Sequence, residues 1–433
     1  MARTLTVFEQ GRLELPAGVT RVKIKERLLS ITVGDRQAFS LRRGSVYATD
    51  LVGAVDLGDL KIEVLPKPFG VETVDDARKF MFNLLRWAGD DARPLWLSRG
   101  SSASETPLLE IVERRTAAEL LQRLELGAPR RYHEVNERTS TLRGRIQMSN
   151  YSRQLPSDMH LLPLRHFPFL ADNDLGRLLK ALATTLRNRA TSYAARRDLD
   201  RCLDLLIEVK ACPLSPELVR RVRLSRLEAG WLGLVDLAGL IALGKSPIPT
   251  SLGATEQPTL LFPLSRLFES AVRESLADHL SNPLSCLKSA GEHQLLSLGS
   301  STISTTALAV RPDLLITSNK RVIAAGDAKW KRLTESPPRF GVLPSDVFQL
   351  LTYMRLFQVH SGFLFFPRTE WMHSGWENKY LVSPTEQEWL TVVAINVPDL
   401  VSSDPGVRRA EGLKLASQVQ VGLEKIAPKL ESV

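Results

Sequence analysis

The chain has 433 residues, of which 43% are hydrophobic and 24% charged, a composition typical of folded globular proteins. At about 100–200 residues per domain, this length predicts two to four domains. The formal charge of +9 suits a polyanionic partner such as nucleic acid, and three cysteines without a CxxC pair argue against a disulfide framework or a cysteine zinc site.

Residues 1–72 are predicted to form a small β domain. The sequence there contains short strand-like runs separated by turn residues: TLTVFE, TRVKIKER, LLSITV, AFSLRRGSVYATD and LVGAVDLGDLKIEVLPKPF. Within DLKIEVL, residues 59–65, charged and apolar residues alternate, which predicts a strand with one buried and one solvated face. We expect a small antiparallel sheet or barrel.

Residues 73–258 are predicted to be mostly helical. Helical spacing marks DDARKFMFNLLRWAG, ETPLLEIVERRTAAELLQRLELG and segments near 174–190, 197–209 and 216–227, with TSYAARRDLD as a polar joint. A β-hairpin is predicted near residues 132–148, where Arg143, Gly144 and Arg145 form a basic turn. That turn fits a phosphate or partner contact, although a solvated hairpin is the favoured interpretation.

GLIALGKS, residues 239–246, matches the nucleotide-binding expression G-x-x-x-x-G-K-[ST]. A working phosphate loop follows a strand and opens a helix, whereas here residues 231–243 are predicted to form a buried helix. Pro247 and Pro249 then prevent ordinary helix continuation, so Gly244 is better explained as the end of a helix.

Residues 259–433 are predicted to form an α/β domain, which makes the fold class multidomain α+β. A helix is expected from 264 to about 280 and another near 345–358. The predicted strands are HQLLSLG, STISTTALAV, RPDLLIT, RVIAAGDAKWK, SGFLFFP and TVVAINV, and GLKLASQVQVGLEKIAP is predicted to be a closing helix.

Three residues of this region indicate chemistry. Asp313 begins one apolar strand, and Asp327 and Lys329 lie two apart near the end of the next, so period two places them on one face. If the strands pair, two carboxylates meet with one lysine beside them. Such a pair attracts a divalent cation with oxygen ligands, and Mg²⁺ bound in this way serves phosphodiester hydrolysis. Lys329 is then expected to orient or deprotonate the nucleophile, or to stabilise negative charge. The alternative is a solvated Asp–Lys pair at a strand end.

Other residues extend this candidate site. Glu269, on the helix before the strands, adds a third carboxylate, and Gln349 and Tyr353 share a helix face at i,i+4. Lys331 returns to the face of Lys329, where a DNA phosphate contact and a solvated position are both open. Trp330 points the other way and is predicted to lie in the core.

RPDLLI with DAKWK, preceded by LFESAV and followed by DVFQLLTYM, resembles the PD-(D/E)xK nuclease superfamily, and the Gln349–Tyr353 pair resembles its QxxxY branch. Other pieces, in the same order, resemble the McrC family of McrBC-type restriction systems: VGAVDLGDLKIEVLPK, KFMFNLL, Tyr132 with LRGRI, and FPFLADNDLGRLLKALATTL. The resemblance implies a restriction-endonuclease-like domain with Asp313, Asp327 and Lys329 as catalytic residues. Asp313, Asp327 and Glu269 are then metal contacts, and Gln349 and Tyr353 position DNA or the lysine.

The resemblance also implies partners. McrC-like proteins act with an AAA+ GTPase of the McrB type, which recognises DNA and translocates, and the N-terminal β region docks in the partner ring and stimulates GTP hydrolysis. We therefore expect Mg²⁺-dependent cleavage of double-stranded DNA. The alternatives are a non-catalytic adaptor that activates an NTPase and a stand-alone RecB-like repair nuclease.

No segment has the apolar core of a signal peptide, and none reaches the roughly 18 apolar residues of a membrane span. We therefore expect a cytoplasmic protein without a membrane segment.

Overall fold

The structure is a computed structural model that describes residues 3–15, 20–33, 35–57, 60–87, 107–190, 192–243, 259–287, 291, 293–297, 306–383 and 388–424. These residues form two compact units of mixed α+β structure. One unit consists of the described residues between 108 and 243, and the other combines those before 88 with those after 258. This division does not test the functional boundaries 1–72, 73–258 and 259–433, which stay predictions.

The N-terminal part of the chain contains seven strands and two helices in its described residues. They are β1 (Arg3–Phe8), α1 (Thr20–Leu29), β2 (Thr32–Val33), β3 (Arg36–Gln37), β4 (Phe39–Arg42), β5 (Ser45–Ala48), β6 (Leu51–Asp56), β7 (Leu60–Leu65) and α2 (Val74–Trp87).

TRVKIKER was predicted to be a strand, but it forms the main part of α1. Lys, Arg and Glu have good helix propensity. Val22 and Ile24 alternate with charged residues as in a strand, but Val22 is 63% exposed and so does not belong to a buried face. The helix instead buries Leu28, which is fully buried.

The middle of the chain contains α3 (Leu108–Glu125), β8 (Arg131–Tyr132), β9 (Val135–Thr139), β10 (Arg145–Ile146), α4 (Met148–Tyr151), β11 (Leu162–His166), β12 (Phe169–Leu170), α5 (Asp174–Arg189), α6 (Tyr193–Leu205), α7 (Pro216–Arg221) and α8 (Leu232–Leu243). Its core lies among the helices and includes Leu120, Leu178, Leu182 and Leu199.

Two predictions for this part are wrong. The strands near residues 132–148 do not form a hairpin, because β9 and β10 each pair with β11, which lies between them. TSYAARRDLD is not a joint, because α6 begins inside it and buries Ala195 and Leu199. The predicted helix before the GKS sequence is confirmed: α8 contains Gly239, and residues 244–250 lie outside the described ranges.

The C-terminal part contains β13 (Thr259–Pro263), α9 (Leu264–His279), β14 (Leu284–Cys286), β15 (His293–Ser297), β16 (Thr306–Val310), β17 (Leu314–Ser318), β18 (Arg321–Ala328), α10 (Pro344–Phe357), β19 (Ser361–Pro367), β20 (Glu377–Ser383), β21 (Glu388–Ile395), α11 (Val397–Leu400) and α12 (Pro405–Glu424).

A six-stranded mixed sheet carries this part, in the order β14-β17-β18-β19-β21-β20. β17 and β18 are antiparallel, whereas β18, β19 and β21 run parallel, and α10 makes the crossover from β18 to β19. Helix α10 contacts β18 and β19, and α12 contacts β19 and β21. Every residue of SGFLFFP in β19 is buried, which accounts for its continuous apolar run.

A second sheet joins distant parts of the chain, in the order β1-β7-β6-β13. β1 is parallel to β7, so the sheet is mixed rather than antiparallel. β13 pairs with β6 across about 200 residues of sequence, placing Leu261 opposite Gly53. Gly53 has φ of +136°, and a Cβ there would lie 1.9 Å from the carbonyl oxygen of Leu260. Glycine therefore permits this close strand contact.

The charged residues of β7 do not face solvent, contrary to the sequence prediction. All six residues of β7 are buried, and Glu63 is 1% exposed. Arg78 of α2 donates to Glu63, with Nη2 2.8 Å from Oε2, and Thr6 donates to the same oxygen at 2.9 Å. Because α2 supplies a cation for Glu63, the charged face of β7 can be buried. The alternation of charged and apolar residues therefore does not indicate a solvated face here.

We expect Arg78→Met to destabilise this sheet by about 3–5 kcal/mol, because Glu63 loses the cation that compensates its buried charge. The neighbouring Lys79→Met is the matched control, since Lys79 pairs with Asp76 at 3.6 Å on an exposed surface and should contribute about 0–1 kcal/mol. Native-state hydrogen exchange of β6 and β7 amides measures both effects. Equal protection in the two variants would contradict the buried pair.

Across the described ranges, no helix combines the length and the apolar character needed to cross a bilayer.

Candidate active site

Pairing of β17 with β18 brings the two predicted aspartates to one edge of the six-stranded sheet. Leu314 lies opposite Gly326, so Asp313, directly before β17, meets the end of β18. The backbone N–H of Ala328 donates to Asp313 Oδ2 at 2.9 Å. Asp327 precedes that amide and is 0% exposed. The short antiparallel register therefore places both carboxyl groups together.

Lys329 completes this group. Its Nζ lies 2.7 Å from Asp327 Oδ2 and donates to Gln349 Oε1 at 3.0 Å. Its backbone N–H donates to the carbonyl of Phe365 in β19 at 2.9 Å, which continues the pairing one residue beyond β18. The lysine backbone is fixed by the sheet, and its side chain by Asp327 and Gln349.

Gln349 and Tyr353 extend the network along α10. Gln349 Nε2 donates to the Tyr353 hydroxyl at 2.7 Å, and that hydroxyl donates to the carbonyl of Arg311 at 3.4 Å. Because Arg311 lies two residues before Asp313, the chain of bonds joins the lysine to the start of β17. The i,i+4 spacing of Gln349 and Tyr353 brings both side chains to this chain of bonds.

Burial and like charge dominate the electrostatics of the aspartates. The pKa of Asp327 is raised to about 7, first by burial and then by the charge of the nearby Asp313, while Lys329 acts in the opposite direction. The pKa of Asp313 is also raised, first by burial and second by the negative charge of Glu269. Burial alone would lower the pKa of Lys329, but the negative charges of Asp327, Asp313 and Asp346 together raise it, so the ammonium form is favoured.

Glu269 lies near the aspartates but has a partner of its own. Arg273, one helical turn later on α9, donates to Glu269 Oε1 at 3.0 Å. Burial raises the pKa of Glu269, and its charge acts on Asp313. In the part of the chain that the structure describes, no three acidic, histidine or cysteine side chains are arranged to hold a metal. Asp313 and Asp327 act directly on each other and form the acidic pair of this site.

The carboxylate of Asp327 has few partners for a buried acid. Lys329 Nζ lies 2.7 Å from Oδ2 and the carboxyl of Asp313 is adjacent, but no backbone N–H of the described residues donates to either oxygen. Burying a carboxylate with so few donors is costly, and a cation bound to its oxygens would offset that cost. The carboxylate oxygens of Asp327 are suitable ligands for a hard cation.

Two contacts around this site were not predicted from the sequence. Asp346, in the first turn of α10, is 4% exposed and accepts from Lys331 Nζ at 2.8 and 2.9 Å. Lys331 is therefore neither a fully solvated residue nor an unpaired one. An acid in the first turn of a helix was the available signal for Asp346.

Trp330, predicted to lie in the core, is half-buried and packs against Phe80 and Phe268. Its indole N–H donates to Glu9 Oε2 at 2.9 Å, and burial raises the pKa of Glu9. The residue after Lys329 is thus fixed by the N-terminal sheet region. No local pattern indicates a contact across 321 positions of sequence.

The raised pKa of Asp327 predicts a pH-dependent effect of its removal. A folded-state pKa of about 7 lies above the ordinary value of 3.8, so the folded state binds the proton more tightly, and stability falls as pH rises between these values. We expect Asp327→Asn to raise the melting temperature of the metal-free protein relative to wild type more at pH 8 than at pH 5. Thermal unfolding in EDTA measures the two melting temperatures. An equal difference between variant and wild type at both pH values would contradict the raised pKa of Asp327.

Comparison with known proteins identifies the family. A family model described as the McrBC 5-methylcytosine restriction system component matches residues 46–367. A search of curated proteins found no match.

Two solved structures share the fold. One chain of a half-complex of Thermococcus gammatolerans McrB AAA+ hexamers with bound McrC aligns with a TM-score of 0.70 and 18% identity, over 97% of this chain and 100% of that chain. One chain of the cryo-EM structure of the Thermococcus gammatolerans McrBC complex aligns with a TM-score of 0.51 and 20% identity, over 65% of this chain and 89% of that chain. Since the family model spans residues 46–367, most of the 433 residues, the chain belongs to the McrBC 5-methylcytosine restriction system component family.

Proposed function

We propose that this chain is the Mg²⁺-dependent DNA endonuclease subunit of a McrBC-like restriction system. The observation that carries the proposal is the convergence of Asp313, Asp327 and Lys329, with Asp327 buried and its oxygens without a backbone donor among the described residues. Family membership supports it, because the matching description is that of a restriction system component. The mixed sheet with this set at one edge is the arrangement expected of a PD-(D/E)xK domain.

The residues present fit a divalent cation. Asp313 and Asp327 would hold Mg²⁺, which binds proteins through one or two carboxylates and keeps several waters, and Glu269 would contribute if it released Arg273. When bound, the ion lowers the pKa of a coordinated water and neutralises charge on the phosphate. A third protein ligand would not be required, because water and substrate oxygens would supply the remaining ligands.

Lys329 acts on the phosphate through its charge. Because its pKa is raised, it carries an ammonium at neutral pH and is suited to stabilise the negative charge that develops on the phosphate oxygens. The interpretation as a general base is disfavoured on the same ground. Gln349 and Tyr353 hold the ammonium in place, since the amide accepts from Nζ while its own N–H₂ is held by the hydroxyl.

We also propose an AAA+ GTPase of the McrB type as the partner, with residues 1–72 as the docking region and stimulation of GTP hydrolysis as a second activity. The two structures that share the fold are described as assemblies of McrB with McrC, which supports a hetero-oligomer. The predicted substrate is double-stranded DNA.

A reconstituted cleavage assay tests this function. Plasmid DNA with and without 5-methylcytosine is incubated with the chain, a McrB-type GTPase, GTP and Mg²⁺, leaving out one component at a time. We expect double-strand cleavage of methylated DNA only in the complete mixture, and none with EDTA. Cleavage by the chain alone would favour a stand-alone nuclease. GTPase stimulation without cleavage would favour a non-catalytic adaptor.

A further inference from the structure

Two arginines border the carboxylates of the candidate site without a side-chain partner. Arg266 lies on α9, three residues before Glu269, and Arg311 lies two residues before Asp313. Both are exposed. Within the ranges that the structure describes, neither guanidinium group makes a hydrogen bond or an ion pair.

Arg273, on the same helix as Arg266, is by contrast held by side-chain partners inside the fold. Arg273 is buried, donates to Glu269 Oε1 at 3.0 Å and to Ser270 Oγ at 3.2 Å, and so satisfies the acid from within. Burial raises the pKa of Glu269, and the charges of Arg273, Arg266 and Arg311 oppose that rise. Arg266 and Arg311 are therefore within electrostatic reach of the acidic group while their side chains stay open to solvent.

The backbone under each arginine is fixed. Arg266 is followed on α9 by Leu267 and Phe268, which are 4% and 0% exposed. The carbonyl of Arg311 accepts from the Tyr353 hydroxyl, which ties it to the bonds that hold Lys329. Because the backbone is already fixed, only the rotamers of the arginine side chain lose entropy when it binds a phosphate.

We propose that Arg266 and Arg311 bind the DNA phosphates that flank the scissile phosphodiester, an inference that rests on the proposed nuclease function. An acidic pocket repels DNA, which carries about one charge per 1.7 Å of its axis, so cations at the rim are needed to bring a phosphate to the carboxylates. Arginine is suited to this task because its planar fork of donors matches the phosphate oxygens.

Salt-dependent DNA binding tests the proposal. Anisotropy of a fluorescein-labelled duplex is measured with the full chain in Ca²⁺, starting at low salt, for wild type, Arg266→Gln, Arg311→Gln and the double variant. We expect each single change to reduce the slope of log K against log salt by about 0.9, and the double change by about 1.8. Arg321→Gln is the matched control, because Arg321 is exposed at the opposite end of β18 from Asp327, and it should change the slope little.

The outcomes separate this inference from the proposed function. Unchanged slopes in the double variant, an equal change in Arg321→Gln, or no measurable wild-type binding at the lowest salt would overturn the phosphate contacts. If the wild type binds with the expected slopes but the reconstituted complex never cuts DNA, the nuclease proposal fails while the contacts stand. If the complex cuts DNA and the double variant cuts with unchanged KM, the function stands and the contacts fail.

Discussion

Asp327→Asn should reduce DNA cleavage by the assembled complex by about 10³-fold or more. Asparagine keeps the shape of the side chain but removes the charge that holds a cation, and a metal ion supplies several kcal/mol of transition-state stabilisation. About 4 kcal/mol corresponds to roughly 10³-fold in rate. The readout is the single-turnover rate on methylated duplex DNA with saturating partner and GTP.

The matched control for this change is Asp346→Asn. Asp346 is also buried at the same edge of the sheet, but its oxygens accept from Lys331 rather than facing a second carboxylate. We expect a smaller loss of cleavage than for Asp327→Asn, because Asp346 acts on Lys329 only through its charge and would not hold the cation. GTPase stimulation should persist in both variants. Wild-type cutting by Asp327→Asn would reject the assignment of the catalytic acid.

Lys329→Met should reduce the cleavage rate by about 10²–10³-fold, the usual effect of removing one group that stabilises developing negative charge. Methionine keeps much of the length and the apolar stem of lysine. The loss should fall on kcat rather than on KM, because the ammonium is used in the transition state.

Rescue by shape and charge distinguishes this role from a structural one. Lys329→Arg should restore little activity, because a planar guanidinium does not replace a point charge held between Asp327 and Gln349. Lys320→Met, exposed at the far end of β18, is the control and should cleave normally. A Lys329→Met enzyme with wild-type kcat would remove the lysine from the mechanism.

Local pattern was sufficient for much of the C-terminal sheet. β17, β18 and β19 were predicted from apolar runs and turn residues, and the spacing of Asp327 and Lys329 is fixed by the two-residue period of a strand. The meeting of Asp313 with that strand end requires only an antiparallel pair of neighbours in sequence. Gln349 and Tyr353 follow from helical periodicity.

Long-range pairing accounts for what the sequence did not reveal. The partner of β6 in the first sheet is β13, about 200 residues away, and no local signal encodes that pairing. The alternation in β7 gave a wrong prediction because Arg78, which lies in α2, pairs with Glu63 in the interior. The bond from Trp330 to Glu9 likewise depends on the packing of α2 and α9. These three cases have one cause, namely that burial and pairing are set by elements that the local pattern does not contain.

Asp313 and Asp327 should share one divalent cation, which anomalous scattering from crystals of the full chain soaked with Mn²⁺ would reveal. We expect a peak about 2.0–2.6 Å from a carboxylate oxygen of each residue, the range of hard cation–oxygen bonds, and no such peak in Asp327→Asn crystals. A wild-type peak bound elsewhere, or a peak that persists unchanged in the variant, would contradict it.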